Sequence, residues 1–122
     1  HNELLCEFRN RSLKKFPKSE ECRIFLAAGD GFFRCIDAAD GRVIWKFLCN
    51  FVGSSSPAFS DNIFYLGAYD GNLYAVDIDG RLKWKFLTHN RIAPSPLVTG
   101  NSIYFGSSDH NIYAIDKTRN LE

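Results

Sequence analysis

The 122-residue sequence has no methionine, no long apolar run and no pair of cysteines at C-x-x-C spacing. The first absence fits either a removed start residue or a beginning inside a longer gene. The second excludes a helical membrane span, which needs roughly 18 consecutive apolar residues. The third argues against a zinc site, because Cys6, Cys22, Cys35 and Cys49 are spread singly through the first half. Charge of one sign is lacking too. Fifteen Lys and Arg face fourteen Asp and Glu, for a net charge of +1. The basic residues are scattered, so the electrostatic footprint of a nucleic-acid binder is missing. The opening "HNELLCEFRNRSLKKF" has neither a continuous apolar core nor a small-residue cleavage site, and so does not read as a signal peptide. A mature secreted chain would look the same, which leaves a periplasmic and a cytoplasmic location both open.

What is present is aromatic and repetitive. Hydrophobic residues make up 45% and charged residues 24%, a globular composition, with eleven Phe, five Tyr and two Trp. "AYDGNLYAVD" at 68–77 has two cousins, "AGDGFFRCID" at 28–37 and "SSDHNIYAID" at 107–116. Asp30, Asp70 and Asp109 are therefore 40 and 39 residues apart, and Pro17, Pro57 and Pro96 keep the same intervals. "VIWKFL" at 43–48 returns as "LKWKFL" at 82–87, and "SSSPAFSDNIFYLG" at 54–67 as "APSPLVTGNSIYFG" at 93–106. A period near 40 belongs to arrays, solenoids and propellers.

Each unit carries four short strand signals separated by turn chemistry. In the middle copy they fall at Ser55–Phe59, Ile63–Ala68, Asn72–Asp77 and Leu82–Leu87, with Asp61-Asn62, Asp70-Gly71 and Asp79-Gly80 between them. Asp-Gly suits a type I′ hairpin, which needs positive φ at both central residues. Three hairpins in succession give a four-stranded antiparallel meander, one propeller blade. "LLCEF" at 4–8 aligns with "VIWKF" and "LKWKF", so that Phe8 matches Phe47 and Phe86 and Cys6 takes the tryptophan position. A helix over 3–16 is the alternative. With the strands of a blade lettered A to D, the chain reads D, ABCD, ABCD, ABC. The expected divisions are a displaced outer strand in 1–10 and three blades at 12–48, 54–87 and 93–116. Cys35 stands where the other copies carry Ala75 and Ala114, which fits a small buried thiol.

These units resemble the PQQ-like β-propeller repeat, found in quinoprotein dehydrogenases and in many proteins that bind no quinone. The resemblance rests on the motif Ala-x-Asp-x-x-x-Gly-x-x-x-Trp. It appears as Cys35, Asp37, Gly41 and Trp45, and one residue shorter as Ala75, Asp77, Gly80 and Trp84. The third copy keeps Ala114 and Asp116 and then departs at "KTRNLE". The resemblance implies an all-β propeller in which Trp45 and Trp84 dock onto the neighbouring blade, each indole N–H on a buried acceptor. Asp37, Asp77 and Asp116 are expected to accept backbone N–H bonds in the next turn.

Catalysis is not expected. Quinoprotein enzymes hold the quinone on the propeller axis beside calcium, several with a disulfide between adjacent cysteines. No two cysteines are adjacent here, and no catalytic, cofactor-binding or metal residue can be assigned. "DIDG" at 77–80 is too soon followed by strand residues for an EF-hand loop. His89 and His110 each adjoin an Asn without a dyad partner, and His110 replaces a turn glycine. The D-to-A and B-to-C loops gather on one face of a propeller, and there Phe51, His89 and Arg91 are least explained by turn chemistry. Aromatic and Arg side chains are enriched in binding hot spots. The expected function is a non-catalytic binding or assembly scaffold for a protein partner. Similar modules act as periplasmic assembly factors for outer-membrane proteins and as kinase sensor domains. The alternative is a detached piece of a PQQ-dependent oxidoreductase. Three blades cannot close a ring of the usual four to eight, so a homodimer of six is expected, with Leu4–Phe8 completing the partner's third blade.

Overall fold

The computed structural model describes residues 23–50, 52 and 56–118. The expected outer strand at Leu4–Phe8 and the loop residue Phe51 lie outside the described residues. Ten strands are present among them: β1 (Arg23–Ala27), β2 (Phe32–Asp37), β3 (Val43–Leu48), β4 (Ala58–Ser60), β5 (Ile63–Gly67), β6 (Asn72–Asp77), β7 (Leu82–Leu87), β8 (Leu97–Thr99), β9 (Ser102–Gly106) and β10 (Ile112–Asp116). They form three antiparallel sheets, β1-β2-β3, β4-β5-β6-β7 and β8-β9-β10, in which each strand pairs with its neighbour in sequence. The architecture is all-β, built of meanders that repeat the sequence period.

The two-residue period of a strand decides the packing. On the middle sheet, Phe64, Leu66, Tyr74 and Val76 point to one face and join Phe25 and Phe33 of the first sheet in a buried cluster. Tyr65, Leu73 and Ala75 point to the other and meet Ile103 and Phe105 of the third. Hence β6 reads buried at four consecutive positions, Leu73 to Val76, as a strand covered on both faces must.

The turns depart from the two-residue reading of Asp-Gly. Ala28 N–H donates to the Phe32 carbonyl at 3.1 Å and Gly31 N–H to the Ala28 carbonyl at 3.2 Å, which closes a three-residue loop. Ala68 to Asn72 and Ser107 to Asn111 repeat the pattern. The aspartate selects it. Asp30, Asp70 and Asp109 each accept the N–H two residues on, at 3.2, 2.9 and 3.0 Å. Only the last loop residue is then left-handed: Gly31 and Gly71 at φ 91°, and His110 at φ 76°. The type I′ requirement is met instead at Asp61-Asn62, with φ 53° and 66°.

Cys35 lies opposite Trp45 and Ala75 opposite Trp84, and both ladders shift register at the next residue. A small residue opposite each indole leaves room for the ring, and the bulge turns the strand towards the following loop.

Candidate functional site

The β1–β2, β5–β6 and β9–β10 turns lie beside the loops that join one sheet to the next, and a repeated fastening holds them together. Thr88 N–H donates to the Gly71 carbonyl at 2.7 Å, and Cys49 N–H makes the same bond to Gly31 at 2.9 Å. The turn aspartate then reaches the preceding loop. Asp70 accepts from the Asn50 side-chain amide at 2.6 Å and from the Tyr74 hydroxyl. Asp109 accepts from His89 N–H at 3.1 Å and from the Tyr113 hydroxyl at 2.6 Å. In the first sheet Arg34 stands in the tyrosine's place and binds Asp30 at 2.7 Å. Thr88 Oγ1 adds bonds to the Asn90 carbonyl at 2.7 Å and to Ser107 Oγ at 3.0 Å.

These bonds set the acidity of the groups. The Tyr113 hydroxyl, helped by backbone N–H groups, holds the Asp109 carboxyl at about 2. Burial alone would raise Asp70, but bonds from Tyr74, Asn72 and Asn50 outweigh it and leave it below its ordinary value. The Arg34 bond likewise lowers Asp30. Burial pushes the Cys35 and Cys49 thiols up to about 11 and about 12, which suits inert thiols. A carboxyl depressed on folding stabilises the fold above its unfolded value, and that stabilisation is lost as pH falls through the folded value. Thermal stability should therefore fall as pH drops from about 3.8 towards 2, and Asp109→Asn should flatten that stretch of the curve. Melting curves from pH 5 to pH 2 check this; parallel curves for the two proteins would refute the fastening role of Asp109.

An open groove of about 520 Å³ runs between the first two turns, lined by Asp30, Leu48, Asn50, Tyr69 and Asp70 among others. Leu48 and its repeat counterpart Leu87 are 55% and 68% exposed. Arg91 lies over the Tyr69 ring at 5.1 Å, at the groove's edge. His89 is exposed one loop further on, beside Asp109. The structure thus brings Arg91 to the groove and leaves His89 at the next turn. Leu48, Asn50 and Tyr69 were not picked out by sequence. The recurrence of "KFL" was the available signal for Leu48 and Leu87.

The motif residues sit at the opposite turns. Trp45 Nε1–H donates to the Ile78 carbonyl at 2.9 Å, across to the middle sheet. Gly80 (φ 87°) receives the indole, since a Cβ there would stand 2.5 Å from its Cδ2. Gly41 (φ 80°) has no such neighbour among the described residues. Trp84 is 4% exposed and packs beside Tyr65 at 5.9 Å. Asp37 accepts the Ala39 N–H and Asp77 the Asp79 N–H, each at 2.9 Å, and Asp116 accepts that of Thr118 at 2.9 Å.

Asp30, Asp70 and Asp109 stand on three separate sheets, each occupied by its own turn, and no group of three or more His, Cys, Asp or Glu converges among the described residues.

Repeated antiparallel meanders, stacked face to face and pinned by an indole in the next unit's turn, define a β-propeller segment of the PQQ-like type. A family model described as "Outer membrane protein assembly factor BamB" matches residues 8–119, and the chain belongs to that family. No curated protein matches it. Among solved structures, BamB from Moraxella catarrhalis is similar at 20% identity and TM-score 0.69, over 81% of this chain and 32% of that one. The quinohemoprotein alcohol dehydrogenase from Comamonas testosteroni is similar at 22% identity and TM-score 0.64, over 79% and 18%. The computationally designed Ika4 protein is similar at 20% identity and TM-score 0.62, over 77% and 59%. These are likenesses of fold. The chain spans less than two thirds of the length of each.

Proposed function

We propose that the chain is a non-catalytic propeller module that presents its turn-and-loop face to a protein partner and assembles with a second copy of itself. The observation that carries the scaffold reading is that the acidic groups of this face are already engaged. Asp30, Asp70 and Asp109 hold turns and neighbouring loops, which leaves Leu48, Leu87, His89 and the Arg91–Tyr69 pair as its outward chemistry. Exposed leucines beside an arginine stacked on an aromatic ring suit a protein contact better than a small polar substrate. BamB's description as an assembly factor points the same way.

The second reading, a piece of a PQQ-dependent oxidoreductase, is favoured by the likeness to quinohemoprotein alcohol dehydrogenase. Titration with PQQ and calcium separates the two. No saturable quinone absorbance should accompany the protein, and stoichiometric binding would overturn the scaffold reading. A photo-crosslinking residue at Leu48 should yield a discrete adduct with a host protein, whereas one at Asp79, on the opposite turns, should not. Equal labelling from both positions would count against the loop face.

A further inference from the structure

The groove between the first two turns is uneven in its chemistry. Its walls come from adjoining units, the β1–β2 turn and the β5–β6 turn, and Leu48 and Asn50 come from the segment that leads from one to the other. Apolar surface is supplied by the exposed Leu48 and the half-buried Tyr69, and the carboxylates of Asp30 and Asp70 flank it. Gly29 keeps the near wall low. The next two turns carry Tyr69 and Ser108 at that position, whereas a Cβ at Gly29 would meet nothing within 4 Å. A cleft of about 520 Å³ is large enough to take several side chains.

The two carboxylates are not equivalent. Asp30 has its own cation, the Arg34 guanidinium at 2.7 Å. Asp70 is held by neutral donors: the Asn72 N–H at 2.9 Å, the Asn50 side-chain amide at 2.6 Å and the Tyr74 hydroxyl. These donors keep it ionised and bring no positive charge with them. Arg91 is turned onto the Tyr69 ring, and no cation forms an ion pair with Asp70 among the described residues. The groove is left with one unanswered negative charge beside an exposed aliphatic side chain. A complementary ligand has to bring a single cation and apolar surface together. Neighbouring side chains of a polypeptide do so, and a basic residue flanked by aliphatic ones is the simplest case.

We infer that this groove takes a segment of the protein partner in which a Lys or Arg stands beside an aliphatic residue, the cation towards Asp70 and the aliphatic chain on Leu48. An acidic segment would set like charges against each other at Asp70, so the groove selects as well as attracts. The inference rests on the reading of the turn-and-loop face as a protein-binding surface and is independent of self-assembly.

The test is an NMR titration of the isotope-labelled full chain with three capped peptides, centred on Leu-Arg-Leu, Leu-Glu-Leu and Ser-Arg-Ser in the same Gly-Ser flanks. The Leu-Arg-Leu peptide should shift the backbone amides of Gly31, Asn50 and Gly71 saturably, with an affinity at least about tenfold above either of the others. That affinity should fall as salt is raised. Asp70→Asn should lower it at least about tenfold, whereas Asp79→Asn, which removes the same charge from the opposite turns, should not. Because Asp70 also fastens Asn50, Leu48→Ser is the second variant. It should abolish the preference for Leu-Arg-Leu over Ser-Arg-Ser, with circular dichroism checking the fold of each variant. Equal affinity for the arginine and glutamate peptides, no binding of any peptide, or binding that leaves those three amides unmoved would overturn the inference. A host-protein adduct at Leu48 alongside any of these results would leave the protein-binding reading standing, and the absence of that adduct would remove both.

Discussion

Replacing Phe64 with alanine should lower the stability of the chain by about 3–5 kcal/mol. Phe64 is fully buried where the first and middle sheets meet, with ring centroids of Phe25, Phe33 and Phe59 at 4.7, 5.1 and 4.6 Å. No single neighbour can swing in to fill its place, because Phe25 and Phe33 are themselves fixed in β1 and β2. The cost is thus the lost burial plus most of the cavity. Leu82→Ala is the control: Leu82 is partly exposed at the start of β7 and should move stability by no more than about 0.5 kcal/mol. Urea denaturation followed by tryptophan fluorescence measures both. A Phe64→Ala loss below about 1 kcal/mol would mean that this aromatic cluster is not the joint between the two sheets.

The second large effect lies at the other end of the same joint. Trp45→Ala should cost about 3 kcal/mol, the lower part of the aromatic range, since the indole is only half-buried. Trp45→Phe should cost about 1–2 kcal/mol, because the ring stays but the Ile78 carbonyl loses its donor. Gly80→Ala is destabilising for two reasons, the φ of 87° and a Cβ driven into the ring. In the double variant the new methyl enters space the indole has left, and only the backbone strain remains. The double loss should therefore be smaller than the two single losses added, by about 1 kcal/mol or more. Strict additivity would show that Gly80 and Trp45 do not act on one another.

The propeller class was legible because a repeat states its own register. Asn72–Asp77 and Leu82–Leu87 are strands at the expected bounds, and Ile63–Ala68 closes one residue early at Gly67. The first strand of the middle sheet runs Ala58–Ser60 rather than Ser55–Phe59, starting after Pro57, which has no N–H for a ladder. The Asp-Gly turns were misjudged because the aspartate was weighed as a backbone residue, whereas its carboxylate sets the loop length by binding the N–H two residues on. The loop face was harder to read. Asn50 meets Asp70, and Arg91 meets Tyr69, across separations of about 20 residues and from one sheet to another. Neither contact has a local signature. His89 was noticed for its imidazole, but it is its backbone N–H that the fold uses.

The two halves of the aspartate fastening belong to different places in the repeat. The turn supplies the acceptor, and the loop after the last strand supplies the donor to the unit that follows, Asn50 to Asp70 and His89 to Asp109. The middle unit therefore carries one half of a joint at each side, Asp70 as acceptor and His89 as donor. Tandem duplication of the encoding segment would lengthen such an array without any new contact having to evolve, because the inserted copy finds its complement on both neighbours. Individual copies are then free to drift, as Arg34 in place of tyrosine and His110 in place of glycine illustrate, while the turn aspartate stays the acceptor whether a side-chain amide (Asn50) or a backbone N–H (His89) donates to it.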